Sequence, residues 1–287
     1  MLANELSMDD ASGLLRGIDI PPCPAVALNL MKEARRDDAD SRKIVSLISG
    51  DVGLAAGMIK VANSPVFALT RKVANVQQAV SVLGLKNIMR IVTGLSLRNS
   101  FASAKISLER FWERSNYHAI VAERIAHRVP GLSANDAYTY GLFHECGIPI
   151  LMLKFPTYVE TIAKANKELN STRVEEELNG TNHAVAGCML AKTWGLPANI
   201  YQSIRYHHDV TVFTDEIAGV DSDVPGLIAT GLVAEHVVAH FQNCPDDSNW
   251  LECGEHALVR LGIDAEELQD MRADICDELV QMKEIRQ

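Results

Sequence analysis

SRKIVSLISGDVGLAAGMIKVANSP, residues 41–65, divides into two short apolar runs, each with helical spacing and each bounded by its own punctuation. Ser41 stands where a side-chain oxygen can accept a free N–H of the first turn, and Gly50 stands where that run stops. Asp51 can cap the second run, and Asn63-Ser64-Pro65 breaks it. The same grammar extends outward. Pro22-Cys23-Pro24 precedes AVALNLMKEARR, Asn75 opens VQQAVSVL, Gly84 ends it, and LKNIMRIVTGLSLRNSF resumes the pattern. No stretch sustains two-residue alternation, so the expected fold class is all-α.

From about residue 107 the runs lengthen. SLERFWERSNYHAIVAERIAHRV is followed by SANDAYTYGLFHECGIPILMLKF, PTYVETIAKANKEL and NHAVAGCMLAKTW, the last ending at Gly195. Pro197 opens ANIYQSIRYHH, and after the acidic loop around DEIAGVDSDVPG two or three more helices are expected. Pro149 cannot donate a backbone N–H and its ring crowds the carbonyl four residues earlier, that of Glu145. The turn bearing Glu145 is therefore expected to be bent or unwound.

At 287 residues, 47% hydrophobic and 22% charged, the chain can bury a sizeable core in one or two domains. No uninterrupted apolar run is long enough for a bilayer, and MLANELSMDDASG lacks the basic-then-apolar pattern of a secretory leader. Cys23, Cys146, Cys188, Cys244, Cys253 and Cys276 form no CxxC pair, which reads as reduced thiols in a cytoplasmic protein. The net charge of −10 argues against a nucleic-acid footprint, which needs clustered Lys and Arg. Arg35-Arg36 reads as a solvated helix end. No Gly-rich loop follows a strand to cradle a nucleotide.

HECG, residues 144–147, is the chemical oddity, a histidine and a glutamate inside an apolar stretch. Burying an unpaired charge costs several kcal/mol, so the pair must be exposed, mutually satisfied or bound to something. The segments IPPCPAVALNLM (20–31), ISGDVGLAAGMIKVANSP (48–65) and VQQAVSVLGLKNIMRIV (76–92) share their order and spacing with the later motifs. Those are FW (111–112), GLFHECG (141–147), NHAVAGCMLAKTWGLP (182–197) and IRYHH (204–208). Together they resemble the HDOD family, the HD-related output domain of bacterial signalling proteins, over about residues 14–210. The resemblance implies a two-lobed helical fold: an N-terminal lobe at 14–105, an HD-like lobe at 106–210, and a C-terminal helical extension at 211–287 packing on the latter.

The resemblance also implies kinship with HD and HD-GYP phosphohydrolases, in which histidines and an HD pair bind metals that activate water against a phosphate ester. His118, His144, His183, His207 and His208 fall in matching positions, with Glu145 where the superfamily carries Asp; Glu235 in LVAEHVV is a weaker further candidate. Imidazole and carboxylate donors suit one or two divalent ions, of Fe, Mn, Zn or Mg. Three features weigh against catalysis. Glu145 is one methylene longer than Asp, Ile148 stands where active HD-GYP relatives place a lysine, and HHDVTVF (207–213) lacks their GYP loop. The reading is thus a regulatory module with a degenerate HD site that retains a metal, its partners being other signalling proteins. The alternative is a metal-dependent phosphohydrolase acting on a nucleotide or other phosphate ester. His127, His236, His240 and His256 fall in no motif and read as surface or packed residues. Cys146 reads as a buried structural thiol, and Trp112 and Trp194 as packing anchors.

Overall fold

Fifteen helices and no strand occur among the described residues of the computed structural model, which are 17–284 except 35, 37, 65, 66, 68, 70, 103–106, 166, 167, 169, 170, 216 and 245–247. Arg35 and Pro65 thus lie outside the described residues. The helices are α1 (Ala25–Ala34), α2 (Ser41–Ser49), α3 (Val52–Ala62), α4 (Val76–Ser100), α5 (Glu109–Ala126), α6 (Ala134–Phe143), α7 (Gly147–Lys154) and α8 (Tyr158–Ala165). They continue with α9 (Ser171–Asn179), α10 (His183–Thr193), α11 (Ala198–Tyr206), α12 (Thr211–Thr214), α13 (Val224–Phe241), α14 (Ser248–Leu261) and α15 (Ala265–Glu284). The chain divides into two units, one of Met1–Ile20 with Ile106–Asp277 and one of Pro21–Lys105 with Glu278–Gln287.

In the smaller unit the helix ends follow from local chemistry. The cap of α2 is Asp40, one residue earlier than the expected Ser41; its carboxylate accepts the N–H of Arg42, and Ser41 is the first helical residue. Aspartate outcompetes serine there because its charge also favours the positive end of the helix dipole. Asp51 caps α3 by accepting from Leu54 N, and Asn75 caps α4 by accepting from Gln78 N, as expected. At Gly84 the backbone leaves the helical region, with φ 76°, and α4 is kinked there. Leu30, Ile44, Ile48, Leu54, Met58, Ile88 and Val92 form the core, one apolar face from each of four helices. Each such side chain contributes roughly 1.5–3 kcal/mol on burial. After α3, the Asn63 amide both donates to Val73 O and accepts from Val73 N, each at 2.8 Å, which pins the two ends of that loop together.

In the larger unit, α13 packs against α5, α6, α11 and α14. It is buried over most of its length. By length and composition α13 and α4 are apolar enough to cross a membrane, yet 78% of the α13 window is packed inside the protein and 44% of the α4 window is. An all-round apolar helix is what the centre of a large helical unit requires. The stretch expected as one helix over 133–155 is two, α6 and α7, separated by the turn 144–146. Pro149 sits in the first turn of α7, where no N–H is needed, and the Glu145 carbonyl accepts from Ile148 N at 3.0 Å. The break before Pro149 is therefore real, and it places the His144–Glu145 pair in the turn between the two helices.

Candidate metal centre

Two close backbone approaches position the site. A Cβ on Gly141 would lie 2.9 Å from the carbonyl oxygen of His118, so α6 rides directly on the α5 backbone and carries His144 beside His118. A Cβ on Gly147 would lie 1.9 Å from the carbonyl oxygen of His183, so only glycine lets the start of α7 touch the start of α10. That contact puts Glu145 beside His183. Asn182 caps α10 by accepting from Val185 N, which places His183 as the first helical residue. His207 and His208 follow α11 in a turn, and Glu235 projects from α13.

All seven residues singled out from the sequence converge in two adjoining groups, Glu145 with His183, His207 and His208, and His118 with His144 and Glu235. In the first, His183 Nε2 lies 2.9 Å from His208 Nε2, 3.2 Å from His207 Nε2 and 3.4 Å from Glu145 Oε2. In the second, His144 Nε2 lies 3.2 Å from His118 Nδ1 and 3.1 Å from Glu235 Oε1. The rings of His144 and His207 bring the groups within 5.9 Å of each other, centroid to centroid. His118, His144, His183 and His207 are all buried.

The other ends of these rings fix their tautomers. His144 Nδ1 donates to Gly141 O and His207 Nδ1 donates to Ile204 O, both at 2.8 Å. A carbonyl oxygen only accepts, so each neutral ring keeps a lone pair on Nε2. His183 Nδ1 faces Glu175 Oε1 at 2.7 Å, with the same consequence. Glu175 is the residue the sequence reading missed, on a helix, α9, that it also missed. Its other oxygen accepts the backbone N–H of His183 at 2.8 Å and the Tyr158 hydroxyl at 2.6 Å. The signal in VEEELNG was a polar run of three glutamates, which reads as a solvated face; burial of Glu175 at 1% exposure comes only from its three donors.

Electrostatics match this geometry. Burial pushes His118, His207 and His208 well below the usual imidazole range, so they are neutral donors. Burial opposes the charge on His183 too, but the carboxylates of Glu145 and Glu175 outweigh it and raise its pKa to about 9. Burial of Glu235 is likewise outweighed, chiefly by its hydrogen bond to His144, and it is held down at about 2. With His183 deprotonated, lone pairs on His183 and His207 face each other at 3.2 Å, and a buried oxygen of Glu145 has no hydrogen-bond donor. Only a proton or a cation between them relieves that repulsion. Donor atoms bound at about 2.0–2.2 Å from a common ion stand close to these separations. The nitrogen and oxygen donors fit a divalent ion of the Zn, Mn or Fe kind, and no thiol belongs to either group. Cys146 is buried with its sulfur toward Gly187 O, and burial drives its pKa well up, which leaves an inert thiol.

A cleft of about 500 Å³ opens onto both groups. Ile148 lines it, where a lysine was the comparison, but so do Arg110 and Arg114 of α5. His236, read as a packed residue, stacks on Trp250 with ring centroids 4.1 Å apart, and both line the cleft. Trp194 is fully buried edge-on to Phe143, and Trp112 is buried edge-on to Phe111. His127 is half-exposed near Glu123, and His256 stacks on Phe213.

The HDOD domain family matches residues 20–210 of this chain, two thirds of its length. The chain belongs to the HDOD family. A curated protein of Treponema pallidum (strain Nichols), described as uncharacterized, is 26% identical over 210 residues. That match covers 72% of this chain and 41% of the relative, so the chain spans well under half of that protein's length. Among solved structures, an HDOD domain protein of unknown function from Geobacter sulfurreducens superposes with a TM-score of 0.74 at 23% identity, covering 95% of this chain and 94% of that one. A protein from Shewanella amazonensis SB2B, titled "Putative phosphohydrolase", superposes with a TM-score of 0.73 at 21% identity, covering 96% and 97%. At these identities the two structures show likeness of fold alone, over nearly the whole of this chain.

Proposed function

We propose that this chain is an HDOD regulatory module of a signalling system, built around one or two divalent ions held by His118, His144, Glu145, His183, His207, His208 and Glu235. One observation carries the reading: Nε2 of His183 and Nε2 of His207, with both Nδ1 atoms engaged from behind, face each other at 3.2 Å, a gap that a proton on His183 or a shared cation must fill. A buried cluster of this kind is costly unless its members are jointly satisfied. Glu175 holds His183 in its ligating tautomer and raises its basicity, in the carboxylate–histidine arrangement that supports metal sites. When bound, a divalent ion there supplies Lewis-acid polarisation of a phosphoryl oxygen.

A phosphohydrolase is the second reading, favoured by the open cleft and its two arginines. Against it stand Ile148 at the lysine position and the missing GYP loop. Elemental analysis of protein purified without chelators, followed by assays on cyclic dinucleotides and nucleoside phosphates, separates the two. We expect bound Fe, Mn or Zn that is lost in His183→Ala, with turnover below about 1 s⁻¹. Faster turnover abolished by His144→Ala would establish the enzyme instead. Metal-free protein with full stability would remove the metal centre from both readings. Glu145→Asp combined with Ile148→Lys should raise whatever hydrolysis the wild type shows.

A further inference from the structure

Resting on the metal reading above, we propose that Arg110 and Arg114 bind the phosphate group of the ligand this cleft receives, taking the place of the lysine that Ile148 does not provide. Arg110, Arg114 and His118 are four residues apart along α5 and so lie on one helical face. All three line the cleft. Arg114 Nε lies 3.4 Å from His118 Nε2, while His118 Nδ1 faces His144. The guanidinium therefore reaches a member of the metal-ligand cluster directly.

Neither arginine has a carboxylate partner among the described residues. Arg36, Arg128 and Arg173 do, with Asp38, Asp274 and Glu177 at 2.8–2.9 Å. Three carboxylates, Glu145, Glu175 and Glu235, line the same cleft, yet histidines stand between Arg114 and those of the cluster. Two guanidinium groups without a carboxylate partner among the described residues thus face one cleft of a chain with net charge −10. With divalent ions in the cluster, that end of the cleft becomes cationic and suited to a dianion. A guanidinium fork matches two phosphate oxygens at once, which an ammonium cannot do. The cleft's volume falls in the range of small-molecule sites. Phe111 and the stacked His236–Trp250 pair line it with apolar surface for the organic part of a phosphate ester. Both arginines are exposed, so replacing them leaves the helix core untouched.

The test is calorimetric binding of inorganic phosphate and of AMP to the full chain, with metal content measured on the same samples. Wild type is compared with Arg110→Gln, Arg114→Gln, the double variant and Arg114→Lys. The double variant should keep its metal and its helical content but bind both probes at least tenfold more weakly. Arg114→Lys should fall between wild type and Arg114→Gln. Unchanged phosphate affinity in the double variant at equal metal content overturns the assignment and leaves the metal centre standing. So does a metal-loaded wild type that binds neither probe at millimolar concentration. A chain that takes up no metal overturns the metal reading instead; phosphate binding that still depends on the two arginines then upholds their assignment, and its absence overturns that as well.

Discussion

Glu175 Oε1 stands 2.7 Å from His183 Nδ1, and Glu175 Oε2 stands 2.8 Å from the backbone nitrogen of the same histidine. One carboxylate thus grips His183 by ring and by main chain, and the Tyr158 hydroxyl completes its shell. Every contact is a donor aimed at an acceptor. Glu175→Gln puts an amide donor opposite one of those donors whichever way it is turned. We predict that this variant folds but binds metal about 10–100-fold more weakly, read by competition with a chromogenic chelator. Undiminished affinity would show that the carboxylate does not orient the ligand.

Proton competition should be visible in metal uptake. The metal-free protein holds His183 protonated at neutral pH, its pKa raised to about 9, whereas His118, His207 and His208 are neutral. Binding at pH 7 must then expel the His183 proton. Calorimetry in buffers of different ionisation enthalpy should report at least one proton released per centre, and affinity should rise with pH until about 9.

The same shift has the opposite sign for the stability of the metal-free chain. A folded-state pKa above the unfolded value of about 6.5 stabilises fully below that value and is lost as pH rises through about 9. Thermal unfolding of chelator-treated protein should therefore weaken between pH 7 and 9.5, and His183→Gln should flatten that dependence. A wild-type profile as flat as the variant's would place no charge on His183.

Gly147→Ala tests the helix contact that brings Glu145 to His183. The added methyl would meet the His183 carbonyl at 1.9 Å, and backbone rather than a flexible side chain must yield. Overpacking of this kind costs about 1–3 kcal/mol or more. We expect lower stability together with lost metal affinity, since moving α7 from α10 separates two ligands. Lost stability with intact metal affinity would mean that the site does not depend on this approach.

In the smaller unit, Asn63→Ala removes both hydrogen bonds to Val73. Leaving a part-buried donor and acceptor unpaired should cost about 1–3 kcal/mol, measurable by urea unfolding, with no effect on metal content. A loss under about 0.5 kcal/mol, the spread of ordinary surface substitutions, would assign the loop no structural role.

Most of the helices, the caps Asp51 and Asn75 and the break before Pro149 were legible because they are local: a cap needs one side chain and the next turn, although α9 was missed and Asp40 caps α2 in place of Ser41. Five histidines and Glu145 were legible because they stand in ordered motifs. Glu175 was not, because VEEELNG gives the same polar signal whether one glutamate is buried or none. Its burial depends on Tyr158 and His183 arriving from α8 and α10, a matter of packing. Arg110 and Arg114 were equally silent. Four-residue spacing fixes that they share a face with His118, but only the tertiary structure turns that face toward Glu145 and Glu235. Sequence therefore determined most of the elements of this protein and the histidines and carboxylate that its packing brings together. Packing decided which charges meet, because the energy of a charge is set by its surroundings more than by its neighbours in the chain.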